Sequence, residues 1–355
     1  MTVTDEQADQ AASAPTPSTG TPTQPTASAW LTARAAVTEV LRPVIRPPQR
    51  EPQPAGGVPR FAHVPAEPHP RAPRDTRWWA GAVLLAVSLL LVAFVVQATL
   101  LSGLQHERAQ QILYDQLRQD LAEGTAPTGQ LDYVTEEMVP LGQPVALLEI
   151  PSLGLREVVL QGSDSEVLRS GVGHRRDSVM PGQAGTAVLL GRQLAYGGPF
   201  SGLVRLQPGD EIRVTTAQGE HSYRVLGLRR AGDPMPAALR SGDGRLELQT
   251  ADGLALFPSG VLYVDAALIS ESQQKPSTVM AYPALPLEER AMGQLENGWY
   301  PVFFGLCVLV AAGIGTIWLW RRWGRPHAWL VAFPVLLAIG VVVADTAMDA
   351  LPNLL

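Results

Sequence analysis

The stretch GTAVLLGRQLAYGGPFSGLVRL, Gly185–Leu206, holds the pattern that decides the fold of this chain. Its apolar run, residues 187–190, is bounded by turn-forming residues, as is typical of a buried strand. The first long side chain after the run is Arg192. A glycine-rich turn then carries Tyr196 and Phe200. The stretch predicts a buried strand that ends in a charged side chain and an aromatic turn.

Similar short runs separated by turn residues fill the chain on both sides, from residue 145 to 270. They read ALLEI, REVVL, TAVLL, EIRVTT, HSYRVLGL, LELQT and VLYVDAALI. Strands of this length and spacing favour a mainly β domain, a barrel or a sandwich. EIRVTT and HSYRVLGL, joined through AQGE, predict a hairpin. The polar segment 271–297 predicts a linker.

Three apolar segments, 78–101, 299–320 and 327–345, predict transmembrane helices. The first has no charged residue and at 1.5 Å per residue reaches roughly 36 Å, enough to cross a bilayer. A helix-forming segment, 104–123, follows it and predicts a juxtamembrane helix that ends at Gly124.

Arginines predict the orientation of the chain. They precede the first span and separate the second from the third, at Arg71, Arg74, Arg77, Arg321, Arg322 and Arg325. Because basic residues favour the cytoplasmic side, we expect a multi-pass protein of the cell membrane with a cytoplasmic N-terminus. The β domain and the C-terminus then lie outside the cell.

Residues 1–76 are rich in proline, alanine and threonine, with runs such as SAPTPSTGTPTQPT. Such a composition buries too little apolar surface to offset ordering entropy, so it predicts a disordered cytoplasmic tail. Segment 29–42 is an exception, because its apolar residues fall near one face of a helix. It is either a helix at the membrane surface or a partner, or a transient helix in a flexible tail.

Charge and cysteine content exclude two classes of function for the outer domain. The formal net charge is −6, with most of the acidic excess in the outer segment, which argues against a nucleic-acid partner. The sequence has one cysteine, Cys307, inside the second predicted span. The outer domain therefore has neither a disulfide nor a thiol.

The order of motifs in the outer domain resembles that of a sortase from the surface of Gram-positive bacteria, with a class E or class D pattern. The matching segments are IPSLGLREVVLQGSDSEVLRSGVGH, MPGQAGTAVLLGRQLAYGGPFSGLVRLQPGDEIRV and LELQTADG. The resemblance covers residues 145–270 and implies a closed barrel of seven or eight strands. It also implies a site with a histidine, a cysteine nucleophile and an arginine.

All three positions that the resemblance assigns to catalysis differ here. Arg192 stands where the family has its histidine, Ala251 where it has its cysteine and Val261 where it has its arginine. An alanine cannot attack a carbonyl carbon. We therefore expect no catalytic residues, and an inactive sortase-like protein.

A groove at these positions remains a candidate binding site. Its candidate residues are Arg192, Tyr196, Phe200, Thr250 and Asp252. The guanidinium of Arg192 either holds a carboxylate or peptide carbonyl, or only fills the site and pairs with an acid such as Asp252. The two aromatic side chains either line the groove or pack the barrel.

A hydroxyl nucleophile is a further alternative. Thr250 or Ser259 would attack, with His174 or His221 as base, but no triad-like spacing supports this. His174 otherwise has a structural role, and His221 is a solvated hairpin residue. No metal-binding motif appears, so we expect neither a metal nor a cofactor.

The sequence thus predicts a non-catalytic cell-surface membrane protein that serves as a binding or scaffolding subunit of a cell-envelope assembly. Its expected partners are the lipid bilayer, another membrane or envelope protein and an extended peptide. Two alternatives stay open: a membrane-integral structural subunit, and a transpeptidase or hydrolase with a non-cysteine nucleophile.

Overall fold

A computed structural model describes residues 76–132, 135–254, 257–323 and 325–355. These residues belong to one of the two compact units of the chain, Ala72–Leu355. The predicted disordered tail, apart from its last residue, and the predicted helix 29–42 lie outside the described residues.

Eight strands close into a barrel, as the family resemblance implies, with the order β1-β2-β3-β4-β7-β8-β6-β5. They are β1 Pro144–Ile150, β2 Leu155–Gln161, β3 Val172–His174, β4 Gly185–Leu190, β5 Glu211–Thr216, β6 Gly219–Arg229, β7 Gly244–Leu254 and β8 Phe257–Leu268. The predicted hairpin is formed by β5 and β6, which pair antiparallel up to Thr216 and Gly219. Strand β4 lies parallel to β7, with Leu190 opposite Gln249.

The barrel core follows from the period-two pattern of its strands. In β4, Ala187 and Leu189 belong to the core, and in β7 so do Leu246 and Leu248. Their neighbours along each strand point to the outer face, because successive side chains of a strand alternate. This alternation decides which residues line the outer surface where the candidate site lies.

Among the described residues, three helices are long and apolar enough to cross a membrane. Helix α1, Thr76–Val96, continues through a π-helical turn, Gln97–Leu101, into α2, Ser102–Glu123. Helix α3, Val167–Ser170, belongs to the barrel, whereas α4, Trp299–Trp323, and α5, Arg325–Ala350, form the other two apolar helices.

Helix α2 corresponds to the predicted juxtamembrane helix and packs along the outside of the barrel. Leu117 is 1% exposed and lies in a cluster with Val158 and Leu160 of β2. The Gln110 side chain accepts a hydrogen bond from Val158 N at 2.7 Å and donates one to Ser170 O at 2.7 Å. Because α2 continues the first apolar helix, these contacts attach the barrel directly to the extension of that helix.

The segment between β8 and α4, predicted as a linker, is ordered against the barrel. It contains two 3₁₀ turns, Tyr282–Ala284 and Leu287–Glu289. Glu289 is 1% exposed and forms an ion pair with Arg176, whose Nε lies 2.9 Å from Oε2. This segment supplies one wall of the candidate site.

Candidate functional site at the barrel mouth

The structure brings the three sequence-predicted positions together at one end of the barrel. Ala251 of β7 lies directly opposite Val261 of β8. Gly191 N donates to Gln249 O at 3.0 Å, which extends the β4–β7 pairing beyond the end of β4. Arg192 therefore follows β4 at the level where β7 carries Ala251.

The site lies on the outer face of these strands. Val188 and Leu190 of β4 form a cluster with Ala251, separate from the barrel core. Leu168 of α3 and Leu354, a residue beyond the end of α5, complete the cluster. We call this outer surface at the ends of β4 and β7, with α3 beside it, the barrel mouth.

Thr250 does not face the mouth. It precedes Ala251 on β7, so the two side chains point to opposite faces of the strand. Thr250 is 1% exposed, and its hydroxyl has no hydrogen-bond partner among the described residues. The groove position predicted for Thr250 is therefore wrong.

Arg192 is fully buried beside the mouth. Its Nη2 donates to the carbonyl and hydroxyl oxygens of Ser165, both at 2.8 Å, while Nε has no partner among the described residues. Burial lowers the pKa of Arg192 to about 10. The predicted pairing with Asp252 is wrong, because Asp252 accepts a hydrogen bond from Arg230 Nε at 2.9 Å.

The two aromatic candidates pack in different places. The ring of Tyr196 lies between two guanidiniums, 5.0 Å from that of Arg192 and 5.3 Å from that of Arg169. Burial raises the pKa of Tyr196 to about 12. Phe200 belongs to the barrel core, so of its two predicted roles the structure shows packing and not a groove position. Residue 191 must be glycine, because a Cβ there would lie 2.5 Å from the Phe200 ring.

Tyr196 also joins the mouth to the membrane helices. It shares a buried cluster with Ala98 of the π-helical turn and Met348 of α5. Tyr196 N donates to Ser102 Oγ at 3.0 Å. The turn that follows β4 therefore rests on the ends of the first and third apolar helices.

The two candidate bases have structural surroundings. His174 is fully buried, with Nδ1 2.9 Å from Gln161 Oε1 and Nε2 2.9 Å from Val179 O. Burial lowers its pKa to about 4. His221 is 2% exposed and lies 3.2 Å from Thr216 Oγ1, so its prediction as a solvated residue is wrong.

Residues that follow α5 cover the mouth, which the sequence did not indicate. Asn353 and Leu354 are completely buried there. Gln193 N, in the turn after β4, donates to Leu354 O at 2.9 Å. In the part of the chain that the structure describes, no group of three or more His, Cys, Asp or Glu side chains is placed to hold a metal ion.

The sequence of the barrel is similar to that of known sortases. A family model for the sortase domain matches residues 148–251. Sortase D of Bacillus subtilis is 33% identical over 85 residues, which cover 24% of this chain and 41% of that protein. Sortase SrtE1 of Streptomyces coelicolor is 28% identical over 162 residues, covering 43% of this chain and 44% of that protein. The chain thus spans less than half the length of either relative.

Solved sortase structures are also similar to part of this chain. The Sortase D5 transpeptidase of Clostridium perfringens is 21% identical with a TM-score of 0.38, covering 46% of this chain and 99% of that one. Sortase E of Streptomyces avermitilis is 29% identical with a TM-score of 0.32, covering 43% of this chain and 100% of that one.

Proposed function

We propose that this sortase-family chain is a non-catalytic membrane protein that acts as a binding or scaffolding subunit of a cell-envelope assembly. The observation that carries the proposal is Ala251 at the mouth, where the family resemblance places a cysteine nucleophile. Sortase chemistry begins with thiolate attack on a threonyl carbonyl, which a methyl group cannot perform. The single cysteine, Cys307, lies in α4, one of the apolar helices.

The surroundings of Arg192 support the same proposal. With a pKa of about 10, its guanidinium stays protonated at neutral pH and can only donate hydrogen bonds. It therefore cannot replace the proton-accepting histidine implied by the family resemblance. Its two hydrogen bonds to Ser165 suit a structural role.

A hydroxyl nucleophile has less support. Thr250 points away from the mouth, and Ser259 Oγ donates to Asp252 O at 3.3 Å. Neither hydroxyl has a histidine among its hydrogen-bond partners within the described residues. The acid–base partner that a serine or threonine nucleophile needs is not in place.

The barrel is placed on the outer face of the cell membrane in this proposal. The arginines before α1 and around the α4–α5 junction support a cytoplasmic N-terminus. The residues that follow α5 contact the mouth and therefore lie on the same side of the membrane as the barrel.

A membrane-integral structural subunit is a second candidate, and contacts between the barrel and the apolar helices favour it. Arg169 of α3 and Asp349 of α5 form an ion pair at 3.1 Å. Ser102, at the start of α2, accepts a hydrogen bond from the turn after β4. The barrel is thus attached to the apolar helices by side-chain contacts as well as by chain connections.

A cleavage assay tests whether the protein is catalytic. We expect the purified full-length protein in detergent micelles to leave a fluorogenic threonyl–glycyl peptide intact, while an active sortase cleaves it under the same conditions. Turnover by the native chain that disappears in Thr250→Ala would contradict the proposal and support the hydroxyl alternative.

Replacement of the apolar helices separates the two non-catalytic candidates. In one variant a generic single span replaces α1, and α4 and α5 are removed. A binding subunit should still co-purify with its native-membrane partners, as identified by mass spectrometry. A membrane-integral subunit should lose these partners. In the matched control only α1 is replaced, so that contacts through α4 and α5 are retained.

A further inference from the structure

The residues that follow the third apolar helix pack against the outer face of the barrel. Helix α5 ends at Ala350, and Asn353, Leu354 and Leu355 are 0%, 0% and 8% exposed. Residues next to the end of a membrane span are expected to meet lipid headgroups and water. Their burial therefore needs a specific partner, which is the barrel mouth.

Asn353 is held by both walls of the mouth. Its Nδ2 donates to the carbonyl oxygen of Ser163, a residue that follows β2, at 2.8 Å. It also donates to the carbonyl oxygens of Arg290 at 3.0 Å and Glu288 at 3.1 Å, in the segment that precedes α4. Its backbone N donates to Gly293 O at 2.9 Å. The amide nitrogen therefore bonds to carbonyls of both walls, while Oδ1 has no partner among the described residues.

The turn after β4 recognises the backbone of the next two residues. Gln193 N donates to Leu354 O at 2.9 Å. Leu194 N and Ala195 N donate to Leu355 O at 3.1 and 3.0 Å. Leu355 N donates to Pro352 O at 3.0 Å, so the carbonyls that accept these bonds belong to a turn over residues 352–355.

The side chain of Leu354 fills an apolar pocket on the outer face of the barrel. It packs in the cluster of Leu168, Val188, Leu190 and Ala251, with Met292 at its edge. The pocket includes Ala251, the position that the family resemblance assigns to the nucleophile. The segment therefore occupies the site itself.

We propose that residues 351–355 are a tethered peptide ligand of the barrel mouth, which closes the site and couples it to the third apolar helix. The site would accept a short turn with an asparagine followed by a leucine. The proposal goes beyond the proposed function, because it holds whether or not the barrel is catalytic.

The end of α5 positions this ligand. Asp349 bonds to Arg169, and the preceding residue, Leu168, packs in the cluster with Leu354. Adjacent residues of α3 thus contact both the last turn of α5 and the ligand that follows it. A displacement of α5 would therefore strain both contacts. Because residues 351–355 occupy the mouth, another peptide can enter it only after they leave.

Cysteine accessibility in the full chain tests the proposal. The background is Cys307→Ala, which removes the only native thiol. The reporter is Ala251→Cys, the exposed reference is Ser259→Cys and the core reference is Leu248→Cys. Their labelling rates with a membrane-impermeant maleimide are measured in native membranes opened by freeze–thaw, so that both faces are reached.

We expect the Ala251→Cys reporter to react at least about 100-fold more slowly than the Ser259→Cys reference, because modification requires release of the buried segment. Asn353→Ala removes the hydrogen bonds from the side-chain amide to three carbonyl oxygens, and it should raise the labelling rate of the reporter about tenfold. Leu354→Asp should raise it by a larger factor, because it would bury an unpaired carboxylate.

The matched control is Leu226→Asp, the same substitution at a leucine of β6 that is 49% exposed and lies outside the mouth, which should leave the reporter rate unchanged. If the Leu248→Cys reference still reacts slowly in Asn353→Ala and Leu354→Asp, the barrel has stayed folded in these variants. If Leu354→Asp also exposes this reference, the milder Asn353→Ala decides the test. The proposal is overturned if the native segment leaves Ala251→Cys as reactive as Ser259→Cys, or if Asn353→Ala leaves a slow reporter rate unchanged in a folded barrel.

Discussion

The barrel core and the barrel mouth are buried to a similar extent but are built differently. The core cluster comes entirely from residues between Val145 and Ala266, and its strands contribute alternating side chains. The mouth joins residues from α3, β4 and β7 to Leu354, which lies about a hundred residues beyond Ala251 of β7. The core is therefore built from strands with a recognisable local pattern, whereas the mouth is completed by a segment outside the barrel strands.

The two regions also differ in how they satisfy buried polar groups. In the barrel wall, Arg229 pairs with Asp265 at 3.0 Å and with Glu247 at 2.9 Å. At the mouth, Arg192 bonds only to neutral oxygens of Ser165 among the described residues. A buried charge without an opposite charge costs free energy. The hydrogen bonds of Arg192 to Ser165 therefore offset a desolvation cost that Arg229 recovers through two ion pairs.

The largest expected effect separates these two arginines. Arg229→Met should lower the free energy of unfolding by about 3–5 kcal/mol, because it leaves two carboxylates in the barrel wall without their cation. Arg192→Met should change it by less than about 1 kcal/mol, because lost hydrogen bonds are offset by removal of a buried charge. Urea unfolding in detergent micelles, followed by the tyrosine near-ultraviolet circular dichroism, measures both. Equal costs would show that the mouth contributes to stability as the wall does.

A second prediction concerns pH. Burial holds the pKa of His174 at about 4 in the folded barrel, against 6.5 for the free side chain, with Asp177 and Arg175 as the charged neighbours. Because the unfolded state binds the proton first, stability is complete above about pH 6.5 and falls as the pH drops towards 4. The loss should be on the order of 3 kcal/mol. The mouth has no matching effect, because Arg192 stays charged throughout this range.

Thermal unfolding across this pH range, followed by far-ultraviolet circular dichroism, measures the slope. The control is His174→Gln, which removes the titrating ring and should flatten the dependence between pH 6.5 and 4. A slope of the same size in His174→Gln would mean that other groups cause the acid sensitivity.

The smallest expected effect is at the join between the mouth and α5. Asp349→Asn weakens the ion pair with Arg169, whose partly exposed side chain limits the loss to about 0.5–1 kcal/mol. Hydrogen exchange of the backbone amides in residues 351–355 should rise two- to fivefold, as about 1.4 kcal/mol corresponds to tenfold. Amides of β7 should be unchanged.

The matched control is Glu211→Gln, which breaks the ion pair between Glu211 and Arg213 on β5. It should leave exchange in residues 351–355 unaltered. Faster exchange throughout the barrel in Asp349→Asn would instead indicate that mouth and core unfold together.

Some of the candidate site was predictable from the sequence because strand pattern and motif order are local. The strand that Arg192 follows and the strand that contains Ala251 were recognisable as apolar runs, and the structure places both residues at one end of the barrel. Of the two roles predicted for Phe200 the structure shows core packing, and the groove position of Thr250 was wrong. The first depends on a turn that directs its ring into the core, and the second on the alternation of side chains about the end of β7.

The sequence by itself determined the mainly β domain, the three apolar helices and the absence of a thiol from the barrel. Each depends on composition or on a short-range period, which a single segment carries. Only the tertiary structure decided that Arg192 bonds to Ser165, that α2 packs on β2 and that Asn353 and Leu354 occupy the mouth. These contacts join segments far apart in the chain, and their stability comes from burial and hydrogen bonds that form only when the barrel and the apolar helices come together.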